Sequence, residues 1–157
     1  MTHTMNSMNP IHIQACYPEV YQVCYGCGVR NSQGLGVASL WDGQVGRATF
    51  TPKPYHSAVP GFVYGGLLAS LVDCHGVATA AAALAEDPQH PPRLVTASLH
   101  VDFLKPTPLG PTLELIARLH ERQGRKATVS VEIWAEGQLT VRGQVVAAPI
   151  PSAMRSR

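Results

Sequence analysis

Four segments between Leu94 and Ala147 alternate apolar and polar residues. In Leu94–Leu104, Val95, Ala97, Leu99, Val101 and Phe103 share one face, and Thr96, Ser98, His100 and Asp102 the other. Thr112–His120, Lys126–Trp134 and Gln138–Ala147 repeat the pattern, with Leu113-x-Leu115, Val129-x-Val131 and Leu139-x-Val141 on the apolar side. A period of two predicts half-buried strands with a common apolar face. The links between them are short (Lys105–Pro111, Gln123-Gly124, Glu136-Gly137), which predicts an antiparallel meander. Two shorter strands are expected upstream, about Val37–Trp41 and Val45–Thr51, around Asp42-Gly43.

The segment Gly65–Ala85 has another pattern. Leu67, Leu68, Leu71, Val72, Ala78 and Ala82 include the i, i+3 and i+4 spacings, with no proline and almost no polar face. Such a helix is enclosed by other elements. Pro52, Pro54 and Pro60 precede it, and Pro88, Pro91 and Pro92 follow it. The prediction is an α+β domain: an antiparallel sheet of five or six strands wrapped around one long central helix. Residues 1–15 are expected to be a flexible N-terminal arm, 16–150 one domain and 151–157 a short tail.

Asp73 breaks the apolar helix. It is the one formally charged residue between Lys53 and Glu86, and a carboxylate in a buried helix is costly unless compensated. This makes it the first candidate for chemistry. His75 lies two residues on and points about 200° away around the helix, so a polar core or interface role is expected for it.

Composition narrows the classes. The chain has 157 residues, 14% of them charged, and a formal charge of +2, and its basic residues are scattered. That argues against a nucleic-acid surface. Asp73, His75 and many alanines make the long helix a core element rather than a membrane span. Four cysteines in a chain of this size do not form a disulfide framework, which points to a reducing cytoplasm. Cys24-x-x-Cys27 has the spacing of half a zinc site. His12 and Cys16 would complete it with a spacing unlike common knuckles, so a tight glycine turn without metal is expected.

The stretch Gly61-Phe62-Val63-Tyr64-Gly65-Gly66-Leu67-Leu68-Ala69-Ser70-Leu71-Val72-Asp73 resembles the hotdog-fold acyl-CoA thioesterases of the phenylacetate-pathway type. Val101-Asp102-Phe103-Leu104-Lys105-Pro106 is similar to that family's strand after the helix. Cys27-Gly28, Asn31 and Gly34-Leu35 are similar to a leader found in a subset of it. The resemblance covers about Cys24 to Ala147. It implies a hotdog fold, a thioester substrate and sites shared across a dimer, or a tetramer of two dimers. The family commonly has His before the glycine pair, where this chain has Tyr64.

Hydrolysis of a thioester needs an activated water or a nucleophile, and a stabilised carbonyl oxygen. Asp73 suits the first as general base or nucleophile. Backbone amides near Tyr64, Gly65 and Gly66, at the helix N-terminus, suit the second as an oxyanion site. Gly65 and Asp73 are about 12 Å apart along one helix, which favours a composite site between two chains. Tyr64, His56, Ser57, Ser70, Thr96 and Ser98 are candidate substrate-binding residues. No cofactor is expected. The substrate carrier is coenzyme A or acyl carrier protein, with Arg93, Arg122, Arg125 and Lys126 among the candidate phosphate contacts. A hotdog enoyl-thioester hydratase or dehydratase, with His56 paired to an acid, and a non-catalytic acyl-thioester binder are the alternatives.

Overall fold

The alternating segments form the middle of one antiparallel sheet, and the apolar helix lies across it. The structure, a computed structural model, describes residues 9–155. The strands are β1 (Ile11–His12), β2 (Leu40–Trp41), β3 (Gly46–Phe50), β4 (Leu94–Phe103), β5 (Leu113–Gln123), β6 (Lys126–Ala135) and β7 (Gln138–Pro149), with α1 (Gly65–Leu84) between β3 and β4. Their order in the sheet is β1-β2-β3-β5-β6-β7-β4.

The helix is held close. The core joins Leu67, Leu71, Val72 and Ala81 of α1 to Leu113, Leu115, Val129, Val131, Ile133, Val141 and Val145 of β5–β7. Two glycines set the spacing. A Cβ on Gly143 would lie 2.4 Å from Val72, and one on Gly76 would lie 2.7 Å from Val145. Burial beneath the sheet accounts for a helix whose composition alone would suit a bilayer.

Four expectations are corrected. The sheet has seven strands rather than five or six, because β1 pairs with β2 through Ile11↔Trp41 and His12↔Leu40. A two-residue strand leaves no periodicity to read. Of the expected flexible arm, residues 1–8 lie outside the described residues, whereas Ile13 and Gln14 are buried.

The meander holds only for β5-β6-β7. β4 pairs with β7 and forms the far edge of the sheet. The chain returns to β5 past the entry to α1, where the Val63 N–H donates to the Thr107 carbonyl (2.9 Å) and the Leu109 N–H to the Gly61 carbonyl (2.9 Å). A short link can cross a sheet as well as turn a hairpin, and length alone does not distinguish them.

The β4 faces are also reset. The register shifts between Thr96 and Ser98, so a bulge reverses the alternation. Leu94 and Thr96 are opposite Pro149 and Ala147, while Leu99, Val101 and Phe103 are opposite Val145, Gly143 and Val141. Thr96 therefore joins the helix-facing side, and Ser98, opposite Val146, does not.

Candidate active site

Asp73 lies on the flank of α1 that faces the β4 edge, and it is half-buried rather than enclosed. The bulge in β4 turns Thr96 toward it, and the Thr96 hydroxyl donates to Asp73 Oδ1 at 2.5 Å. The carboxylate therefore has one fixed oxygen and keeps capacity for other partners. It opens onto a cavity of about 260 Å³ whose wall includes Tyr17, Cys24, Cys27, Cys74, Arg93 and Thr96.

The N-terminus of α1 offers free donors. Tyr64 is the N-cap residue and makes no side-chain cap bond. Its carbonyl accepts from the Leu67 N–H (3.1 Å) and the Leu68 N–H (3.3 Å), and the Gly65 and Gly66 amides have no acceptor among the described residues. The Tyr64 ring folds over Gly66, where a Cβ would lie 2.4 Å from it. A side chain at position 66 would have to displace this exposed ring, and glycine leaves the amide open to a close ligand. Asp73 and these amides, separated by about 12 Å of helix, do not converge within one chain.

The remaining candidates disperse. Ser70 donates back to the Gly66 carbonyl at 2.9 Å rather than to Asp73. His56 Nδ1 accepts from the Lys53 N–H (2.9 Å), and its ring rests on Phe50 and Tyr55. Burial, then the nearby Lys53 charge, lowers its pKa. It lines a different cavity, with Tyr25, Gln33 and Lys53. Ser57 sits in an isolated bridge with Val63. Of the polar residues expected around Asp73, only Thr96 bonds to it.

His75 serves the core. It is fully buried, and its Nε2–H donates to the Gly46 carbonyl (3.0 Å) while its Nδ1 accepts from the Ser39 hydroxyl (2.8 Å). Gln14 completes the network, donating to Ser39 Oγ (2.9 Å) and accepting the Ser39 N–H (2.8 Å). Because a carbonyl can only accept, the proton is assigned to Nε2. Burial lowers the His75 pKa to about 4.

Sequence spacing missed a sulfur cluster. Cys24, Cys27 and Cys74 place their sulfurs within 4.8 Å of one another. Cys74, the residue after Asp73, brings its Sγ to 3.9 Å from Cys24 Sγ. Bonds from Cys27 and then Cys74 lower the Cys24 pKa; the bond with Cys24 raises that of Cys27 to about 11, against an opposing effect of Cys74, and bonds with Cys24 and then Cys27 raise that of Cys74. Cys16 is not a member; its thiol donates to the His12 carbonyl (3.4 Å).

A larger cavity, about 680 Å³, adjoins the first through the shared residue Arg93. Arg122, Arg125 and Arg155 also line it, together with Glu86 and Asp87.

Comparison with known proteins gives this geometry a lineage. Residues 60–142 match the family model described as the Thioesterase superfamily. A thioesterase superfamily protein from Shewanella loihica is 47% identical and superposes with a TM-score of 0.65, covering 76% of this chain and 96% of that one. The acyl-coenzyme A thioesterase THEM4 of Xenopus laevis is 32% identical over 84 residues, 54% of this chain. The match spans about a third of that relative's length, 35%. The PaaI protein from the phenylacetic acid degradation operon of E. coli shares the fold, with a TM-score of 0.63 at 19% identity, covering 74% of this chain and 81% of that one. With its single antiparallel sheet around one central helix, the chain has the hotdog fold and belongs to the thioesterase superfamily.

Proposed function

We propose that this chain hydrolyses acyl-CoA thioesters to a free acid and a thiol, with Asp73 as general base or nucleophile. The observation that carries this reading is the Asp73–Thr96 pair on the wall of a cavity. The carboxylate is oriented by one hydroxyl and still open to water or an acyl carbonyl. As base, it takes a proton from the attacking water, and the C–S bond then breaks to release the thiol; as nucleophile, it displaces the thiol from the acyl carbon to form an anhydride that water then opens. Charge on the carbonyl oxygen is met by the uncapped amides near Gly65 and Gly66.

Those amides belong to a second copy of the chain. The distance along α1 separates them from the Asp73 of their own chain, and the outer edge of β4 has no partner strand among the described residues. Leu99, Phe103 and Leu104 are exposed along or just beyond β4, and Phe103 also lies against Gly65. A long unpaired edge bearing large apolar residues favours association. It supports a homodimer with two composite sites, from which a tetramer can be built.

Coenzyme A suits the larger cavity. Arg93, Arg122, Arg125 and Arg155 gather there, and clustered guanidinium groups favour phosphates. Arg93 connects this cavity to the one that holds Asp73. The free state of Cys16, Cys24, Cys27 and Cys74 supports work in a reducing compartment such as the cytoplasm. A hydratase reading would pair a histidine with the acid, and His56 lines another cavity.

Release of free thiol, followed over short, long and aromatic acyl-CoAs, tests the activity. Turnover on at least one class is expected. Tight binding without thiol release on every class would make the chain a binding protein, and hydration of enoyl thioesters instead would make it a hydratase.

A further inference from the structure

The cysteine cluster has the makings of a metal site, whether or not the chain hydrolyses thioesters. Three sulfurs from two distant parts of the chain lie within 4.8 Å of one another. Tetrahedral zinc with Zn–S bonds of about 2.3 Å requires sulfurs about 3.8 Å apart. Cys24 and Cys74 are already at 3.9 Å. A disulfide would join two of the sulfurs and strand the third, whereas one metal ion uses all three.

The loop is shaped to present them. A Cβ on Gly26 would lie 2.2 Å from Cys74 Sγ, and one on Gly28 would lie 2.5 Å from the Cys24 backbone nitrogen. Glycine at these positions lets the Cys24–Cys27 turn close tightly against α1. The Gly28 N–H donates to the Cys24 carbonyl at 2.8 Å, and the Val37 N–H to the Gly26 carbonyl at 3.0 Å.

A second observation points to a polar occupant of the same cavity. Tyr17 is 4% exposed and lines the cavity wall, and its hydroxyl has no hydrogen-bond partner among the described residues. A buried phenol without a partner is costly, and a water or hydroxide on a metal ion would supply one. Arg93 lies over the Tyr17 ring at 5.3 Å. Its charge offsets the single net negative charge of Zn(II) with three thiolates.

We propose that Cys24, Cys27 and Cys74 bind one Zn(II) ion as thiolates, with the fourth coordination position facing the cavity that Tyr17 and Asp73 line. Binding converts each thiol to a thiolate, so as many as three protons leave as the ion enters. The ion ties the Cys24–Cys27 turn to the turn of α1 that carries Asp73. Soft thiolate ligands favour zinc over magnesium or calcium.

Reduced, metal-free full-length protein titrated with Zn(II) against a chromophoric chelator tests this. One equivalent is expected to bind, and Co(II) in its place is expected to give sulfur-to-metal charge-transfer absorption in the wild type. Cys24→Ser, Cys27→Ser and Cys74→Ser should each weaken binding at least about 100-fold, the upper end of what losing even an outer-shell partner of a metal ligand costs, while Cys16→Ser binds as the wild type does. The Co(II) spectrum needs no variant and decides the matter even if a serine variant fails to fold. No charge-transfer band and no zinc uptake would overturn the site. So would zinc kept by Cys74→Ser, or lost in Cys16→Ser.

Discussion

Asp73 and His75 stand two residues apart on one helix and have opposite surroundings. Every ring nitrogen of His75 is paired, through Ser39 and the Gly46 carbonyl, and Gln14 closes the network behind Ser39. No solvent reaches the ring. Among the described residues, Asp73 has a single partner, Thr96, and opens onto a cavity that also holds an unpaired phenol and three thiols. Both are polar residues in an apolar helix. On the proposed function, the difference between a closed and an open polar cluster separates structural work from chemistry. A satisfied buried network stabilises one arrangement of chain, whereas a site must keep bonding capacity for something that arrives.

The open cluster makes the larger prediction. Gly66→Pro removes one amide from the α1 N-terminus without removing the acid, and Asp73→Asn removes the acid alone. Each homodimer should lose about 100-fold or more in thiol release. Mixed dimers should regain as much as half of the wild-type rate, because one of their two sites is intact. Persistent inactivity in mixed dimers, verified by mass, would place acid and amides in one chain.

The closed cluster predicts a pH effect on stability and little on chemistry. The folded pKa of His75 is about 4 against an ordinary 6.5. Between those values the unfolded chain binds a proton that the folded chain refuses. The stability His75 contributes is therefore full above pH 6.5 and is lost as pH falls toward 4, by about 3 kcal/mol in all. Urea denaturation across this window checks it. His75→Gln should flatten the slope, and an unchanged slope would mean that other groups carry it.

The smallest expected effect tests the one bond within the open cluster. Thr96→Val keeps shape and removes the donor to Asp73, a change of about 1 kcal/mol. Thiol release should fall about 5-fold with little change in the urea midpoint. A large stability loss with unchanged rate would give Thr96 a structural role instead.

Much of this was legible in the chain because it depends on local periodicity. Alternation marked β5, β6 and β7, and the apolar run marked α1 to within a residue of its observed end. The non-local features were hidden. β4 alternates as well as its neighbours do, but nothing in its residues says that it pairs with β7 rather than β5. The bulge at Ala97 leaves no mark in composition, and it decides that Thr96 rather than Ser98 meets Asp73. Cys24 and Cys74 are 50 residues apart, so no spacing motif includes both. Gln14 and Ser39 carry ordinary polar side chains, and only the fold aligns them with His75.

The most direct test of the contrast between the two clusters is thiol release by Asp73→Asn beside His75→Gln, under conditions where both variants are folded by circular dichroism. Asp73→Asn should keep wild-type stability within about 1 kcal/mol and lose at least about 100-fold in rate. His75→Gln, where folded, should hydrolyse within a few-fold of the wild type. An Asp73→Asn protein that releases thiol at the wild-type rate would contradict the assignment of Asp73 as the reactive acid.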